Sequence, residues 1–464
     1  MACKGRYIAV SHRWGGDIPY KTTRQNIGEY LEGIDAARLP QNFIDVLLLA
    51  GMLDIRYVWI DAVCIVQNDE DEWLAQAKQM GSIFTNATIT LALHSPRTST
   101  EGVLWRMRVP EWLKISPRAA RTKELPSFWL RLPTVHEYDF SAIPAISSGQ
   151  LVHRGWCLQE LWLSPRILHV VEDKFIWICP HIRHTGFMHS IVPESIPSAD
   201  DTGASHACWQ RLVTRYSRCE LTVHTDKLPA LSGIHSLWPK AHTQSSHCGH
   251  LGIDIRIGLL WYRERPIRRH AVTRILDRAP SWSWASVDGP IRHMWPESFD
   301  LFKRGSVQVK QADEPAAFEC QRHNCEAQDS HFLCELCHVV LRSKLRMNLR
   351  RERPTAYEPL ARIEDPKGLC WMRWEFTLYA AGLQDSSPDD KVGFGTFDED
   401  ITPQSLSCVQ ISSISEKQKI IGCCVLLLVE EDASPAHHYR RVGVGWLPSP
   451  INERGWQEER IVIV

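Results

Sequence analysis

Long apolar runs are missing from this 464-residue chain. The longest, Ile420 to Val429, is about half of what a bilayer-spanning helix needs, so no transmembrane segment is expected. An excess of either charge is missing too. Lys+Arg 53 against Asp+Glu 54 gives a net charge of −1, and no global field draws the protein to nucleic acid or acidic membranes. The first residues, Met1-Ala2-Cys3-Lys4-Gly5-Arg6, lack the apolar stretch of a secretory signal. The 15 cysteines, an odd number, are therefore expected as reduced thiols in a cytoplasmic protein. A glycine-rich phosphate loop is also lacking. Gly393-x-Gly395 and Gly443-x-Gly445 have neither the third glycine nor the strand–helix context, which argues against a tightly held dinucleotide cofactor. Neither a Gly-x-Ser-x-Gly elbow nor a His-Glu-x-x-His helix occurs, and no repeat recurs at solenoid or propeller period.

What the chain does have is tryptophan: 19, against 10 tyrosines and 13 phenylalanines. Each buries a large area and needs a partner for its indole N–H, so sizeable cores are expected. The length calls for two or three domains.

The N-terminal pattern is strand, helix, strand, helix, strand. Tyr7 to Trp14 reads as a strand turning at Gly15-Gly16, and residues 41–53 as a helix with Phe43, Ile44, Leu47, Leu48 and Met52 at helical spacing. Tyr57 to Val66 reads as a strand apolar on both faces, as in a doubly covered parallel sheet, with Asp61 its one charge. Asn68 or Asp69 can cap the next helix, whose acidic first turn suits the helix dipole and whose inward stripe is Trp73, Ala77, Met80 and Phe84. Thr88 to Leu93 follows as a strand. Residues 95–150 read as an insertion, Gly155 to Ser164 as a helix stopped by Pro165, and Ile167 to Cys179 as a strand. The expected organisation is an α/β domain with a parallel sheet over 1–180, a mainly helical region over 181–275 and a β-rich region over 276–464.

Three segments together resemble the fungal heterokaryon-incompatibility (HET) domain: Tyr7 to Gly15 with its Ser11-His12-Arg13-Trp14, Tyr57 to Gln67 with its Trp59-Ile60-Asp61, and Arg154-Gly155-Trp156-Cys157-Leu158-Gln159-Glu160-Leu161. Asp226-Lys227-Leu228-Pro229-Ala230-Leu231-Ser232-Gly233 and Ala279-Pro280-Ser281-Trp282-Ser283-Trp284 look like segments that usually follow. Val66 departs from the family, which often has an Asp there. With Glu72-Trp73, which continues the second segment, and Trp209, ahead of Asp226, seven of the 19 tryptophans (Trp14, Trp59, Trp73, Trp156, Trp209, Trp282 and Trp284) fall in such segments, which makes the excess a mark of this architecture. The resemblance implies a part in fungal non-self recognition and regulated cell death, acting through self-association or another incompatibility protein. The HET domain is in turn similar to the Toll/interleukin-receptor (TIR) domain, a flavodoxin-like fold of which some members cleave the nicotinamide–ribose bond of NAD. The Trp-Cys-Leu-x-Glu-Leu pattern of that family, whose Glu is catalytic, is matched by Trp156 to Leu161 and singles out Glu160.

The residues themselves agree in part. A helix over Gly155 to Ser164 is apolar nearly all round, so Glu160 is a buried carboxylate that must be paired, neutralised or used. A carboxylate there can stabilise an oxocarbenium-like transition state. The plainer alternative is an ion pair with Arg154, Arg166 or Arg13. Asp61, Ser11 and Arg13 lie toward the carboxyl ends of their strands, where open parallel sheets gather ligands. With Trp156 they are the candidate groups for holding a nucleotide, Arg13 on its phosphates; Asp61 as a local cap is the alternative. NAD is the candidate substrate. The rival to an enzyme is a non-enzymatic module that signals by assembly.

One cysteine cluster carries a metal hypothesis: Cys320, Cys325, Cys334 and Cys337, four thiolates suited to tetrahedral zinc, although only the last pair has the tight knuckle spacing. The basic stretches Arg263 to Arg274 and Arg342 to Arg353 read as solvated charged faces, and no specific nucleic acid is expected.

Overall fold

A computed structural model describes residues 5–16, 20–94, 96, 98–104, 112–115, 128–131, 149–171, 174–179, 198, 200–243, 246–252, 255–264, 278–294, 307–311, 317–320, 337–352, 376–380, 391–398, 406–416, 419–431, 438–449 and 456–464. The chain forms two compact units, residues 1–195 with 229–234, and residues 196–228 with 235–464.

The first unit alternates β1 (Tyr7–Ser11), α1 (Ile27–Glu32), α2 (Gln41–Met52), β2 (Tyr57–Trp59), a helical turn α3 (Asp61–Cys64), α4 (Glu70–Asn86) and β3 (Ile89–Leu93). An antiparallel hairpin, β4 (Trp112–Ile115) with β5 (Phe128–Arg131), precedes α5 (Gly155–Leu163), β6 (Ile167–Val171) and β7 (Lys174–Ile178). The main sheet runs β2-β1-β3-β6-β7. Its first four strands are parallel and β7 turns back antiparallel on β6. The fold is thus mixed α/β, as the alternating pattern implies. Ile8, Val10, Leu91 and Leu93 from the strands pack with Phe43, Val46 and Leu49 of α2. Asp69 caps α4, accepting from the Glu72 N–H at 3.2 Å.

Three local expectations are corrected. The strand from Tyr57 ends at Trp59, at the sheet edge, and Asp61 opens a helical turn instead of lying in a covered strand. Side chains drive the change: the Asp61 carboxylate accepts from the Ala62 N–H at 2.7 Å, and the Gln67 amide closes the turn on the Asp61 and Ile65 carbonyls. On α2, Leu47, Leu48 and Met52 face outward and Phe43, Val46, Leu49 and Ala50 inward. Both stripes have helical spacing, and a polar residue decides between them. Asp45 is buried because its carboxylate accepts from the Val103 and Leu104 N–H groups at 2.6 and 3.1 Å. Ile167 to Cys179 is a hairpin, since Glu172-Asp173 interrupts a run that could otherwise continue as one strand.

The second unit begins with α6 (Thr202–Tyr216), capped by Asp201. Next come α7 (Pro229–His235), of which 229–234 belong to the first unit, then α8 (Lys240–Thr243) and α9 (Ile255–Gly258). β8 (Trp261–Arg263) pairs β9 (Ile291–His293). A nine-stranded sheet holds β10 (Val307–Gln311), β11 (Ala317–Cys320), β12 (Cys337–Glu352), β13 (Phe376–Ala380), β14 (Lys391–Phe397), β15 (Leu406–Glu416), β16 (Lys419–Glu430), β17 (His438–Pro448) and β18 (Trp456–Ile463). Because β12 also pairs β15, the path β15-β16-β17-β14-β13-β12 closes on itself. This is the β-rich C-terminal region.

Tryptophans fill the interior of this unit, and several of their N–H groups find main-chain acceptors, as burial favours. The Trp209 and Trp284 indoles both donate to the Gly249 carbonyl at 3.0 Å, and Trp261 donates to the Trp282 carbonyl at 2.9 Å. Arg441 is fully buried, paired with Asp398 and stacked 3.6 Å over the Trp261 ring. Among the described residues no helix is long and apolar enough to cross a membrane.

Candidate active site

The candidate site of the first unit is built at the carboxyl end of β1. Ser11 ends that strand fully buried, and His12 follows it, also buried, with its ring edge-on to Phe43 at 5.2 Å. Asp61 arrives from the neighbouring β2 and opens α3. Glu160 arrives on α5. Its helix is short and apolar, and Cys157, Leu158, Gln159, Glu160 and Leu163 are all buried. The central strand β1, the edge strand β2 and one helix therefore bring polar groups to one place.

Three relationships hold these groups. The His12 Nδ1 lies 3.6 Å from Asp61 Oδ1, and the Trp14 indole N–H donates to Asp61 Oδ2 at 2.9 Å. The Arg154 guanidinium donates to the His12 carbonyl at 3.0 Å, tying the residue before α5 to the end of β1. Ser11 Oγ lies close enough to act on both the Glu160 carboxyl and the Cys157 thiol, yet makes no hydrogen bond of ordinary geometry among the described residues.

The electrostatics follow from burial. Loss of water raises the Glu160 carboxyl to about 7; the nearby Asp61 charge pushes the same way, while Ser11, Arg154 and Cys157 oppose it. Burial also lowers His12, against the pull of Asp61, so the imidazole is held neutral. The Cys157 thiol is pushed well up by burial and by Glu160, so it is no ready nucleophile. A carboxyl that exchanges its proton near neutral pH, beside a second carboxylate and a neutral imidazole, can act as an acid, a base or a stabiliser of developing positive charge.

Of the residues expected at a site, the structure brings Glu160, Ser11 and Asp61 together. Trp156 stands on the same helix, half-buried and edge-on to Trp73 of α4 at 6.0 Å. Arg13 is half-buried beyond His12. Arg154, which the sequence offers only as one of three ion-pair partners, is the cation that Glu160 senses, and Trp14, there only a motif residue, holds Asp61. The Arg-Gly step opening the helix was the available signal for Arg154. A buried pair also sits where His94, just past β3, meets His169 in the middle of β6: His94 Nε2 and His169 Nδ1 are 2.8 Å apart and burial lowers His94 to about 4.

Cys325 and Cys334 lie outside the described residues. Cys320 and Cys337 are paired positions across β11 and β12. Among the described residues no group of three or more His, Cys, Asp or Glu side chains could hold a metal. Cys64, Cys157 and Cys408 are free thiols.

Fold and site together define an α/β module with a buried acidic centre at the carboxyl end of a parallel sheet. Residues 7–160 match the family model described as heterokaryon incompatibility protein (HET), a match that ends on Glu160 itself, so this part of the chain is a heterokaryon incompatibility domain. Comparisons with curated proteins and with solved structures gave no match.

Proposed function

We propose that this protein serves fungal non-self recognition, that it triggers regulated cell death from the cytoplasm, and that its α/β unit does so by hydrolysing NAD. The observation that carries the reading is the convergence of the Glu160 carboxyl, Asp61 and Ser11 at the end of β1. The sheet order, with β1 between β2 and β3, supports a TIR-like, flavodoxin-like arrangement, in which ligands bind where the strand order reverses. In the reaction the bond between nicotinamide nitrogen and ribose C1′ breaks, and the electron pair leaves with neutral nicotinamide. Ionised Glu160 stabilises the ribosyl cation, and water adds to C1′ with loss of a proton. Asp61 and Ser11 orient the ribose, Arg13 meets the phosphates and Trp156 flanks the rings. The test is NAD consumption by the purified, clustered protein, with Glu160→Gln abolishing turnover while the protein stays folded.

A second reading is favoured by a different observation. The outward face of α2 carries Leu47, Leu48 and Met52 at 41%, 55% and 81% exposure, an apolar stripe without charge. Under it the unit signals by assembling with itself or with another incompatibility protein, and Glu160 is structural. Zinc at Cys320, Cys325, Cys334 and Cys337 is a separate proposal, supported by the cross-strand pairing of Cys320 with Cys337. Metal analysis of protein purified without added zinc tests it.

A further inference from the structure

Helix α5, which carries Glu160, is held at its two ends by Arg154, bonded to the His12 carbonyl, and by Ser164, bonded to Thr90 of β3. It is nine residues long, apolar nearly all round, and has no side-chain cap at its start. The hydrophobic effect is non-directional, so polar contacts along the helix add to packing in setting its rotation. In its middle, at Gln159, such a contact comes from far along the chain. Residues 229–234, in α7, belong to the first unit, and the Gly233 N–H donates to Gln159 Oε1 at 2.8 Å. Gln159 is buried and precedes Glu160 directly.

The approach is tight on every side. A Cβ on Gly233 would meet Gln159 Oε1 at 2.7 Å, and a Cβ on Gly81 of α4 would meet the Gly233 Cα at 3.2 Å and Leu163 of α5 at 3.3 Å. A methyl at position 81 would force its neighbours to give by a few tenths of an ångström, and one at position 233 would displace the Gln159 amide. Gly233 does not have a positive φ, so the restriction is steric and points at Gln159.

We propose that Gly233 and Gln159 are a positioning pair that sets the rotation of α5 and so aims Glu160 at Ser11 and Asp61. Control of the site then resides partly in a segment outside the matched residues 7–160. In sequence that segment is flanked by Leu228 and His235, both residues of the second unit. The inference shares with the preceding section the premise that Glu160 is the working group.

The test compares the full-length wild type, Gly233→Ala and Gln159→Ala, each with and without Glu160→Gln. The readout is the Glu160 titration, taken as the difference in pH-dependent stability between each protein and its Glu160→Gln partner. Both variants are expected to move the midpoint from about 7 toward the ordinary carboxyl range by at least about one unit, because a rotated helix brings the carboxyl toward water. If the enzyme reading holds, kcat for NAD falls at least about tenfold with KM little changed. Should Gly233→Ala fail to fold, Gln159→Ala decides, since it removes the acceptor and adds no atoms. An unchanged midpoint in a folded variant overturns the proposal. A moved midpoint in a protein that never consumes NAD supports the positioning pair and removes the NAD reading.

Discussion

The Arg154 guanidinium donates to the main-chain carbonyl of His12 at 3.0 Å, joining the start of the Glu160 helix to the end of β1. This link ties together the two elements that contribute Glu160 and Ser11. The same cation lowers the Glu160 carboxyl, partly offsetting burial. Arg154 thus bears on both the position and the protonation of Glu160.

Arg154→Met is therefore expected to do two things at once. Loss of the hydrogen bond costs about 1–2 kcal/mol in chemical denaturation. Loss of the positive charge moves Glu160 further above its ordinary range. If turnover needs the ionised carboxylate, the pH–rate profile rises through about pH 7 in the wild type and is displaced to higher pH in the variant.

The protonation of Glu160 also has a stability signature. Its folded value, about 7, lies above the ordinary 4.5, so the folded state holds the proton more tightly. That contribution is fully present below pH 4.5 and is lost as pH rises through 7. Between these limits the wild type should lose on the order of 3 kcal/mol relative to Glu160→Gln. Urea denaturation of both proteins at pH 5 and pH 8 measures the difference, and parallel curves would contradict the burial.

In the second unit the sign is reversed. His206, His250 and His293 are buried, lie near one another and near Arg441, and burial lowers all three, His206 to about 4 and His250 to about 3. The unfolded chain takes up their protons first, so stability is complete above pH 6.5 and is lost as pH falls toward 4. Replacing any one by Gln should reduce the acid slope of stability by about one proton.

Gly249→Ala should be among the most damaging small changes. Gly249 has φ +86°, and an added Cβ would meet Leu228 at 2.8 Å and Trp284 at 3.0 Å. Its carbonyl also accepts two indole N–H groups. A loss of about 3 kcal/mol or more is expected in thermal unfolding.

The sequence made the alternating strands and helices of the first unit legible because their apolar periods are strong. It also exposed Glu160 as a carboxylate on a helix with no solvent face. Where it misled, a polar side chain had decided the outcome. Asp45 chose which stripe of α2 faces inward, and Asp61 with Gln67 ended β2 early. Such choices depend on main-chain partners at positions 103 and 104, far from 45 in sequence, and no local period encodes them. The Gly233–Gln159 contact spans 74 positions and was illegible for the same reason.

The most direct test of the account is the NAD content of cells after induced expression of wild type and Glu160→Gln at matched soluble levels. The account predicts that wild type depletes NAD before death and that Glu160→Gln leaves both NAD and viability intact. Death from wild type with NAD unchanged would contradict it.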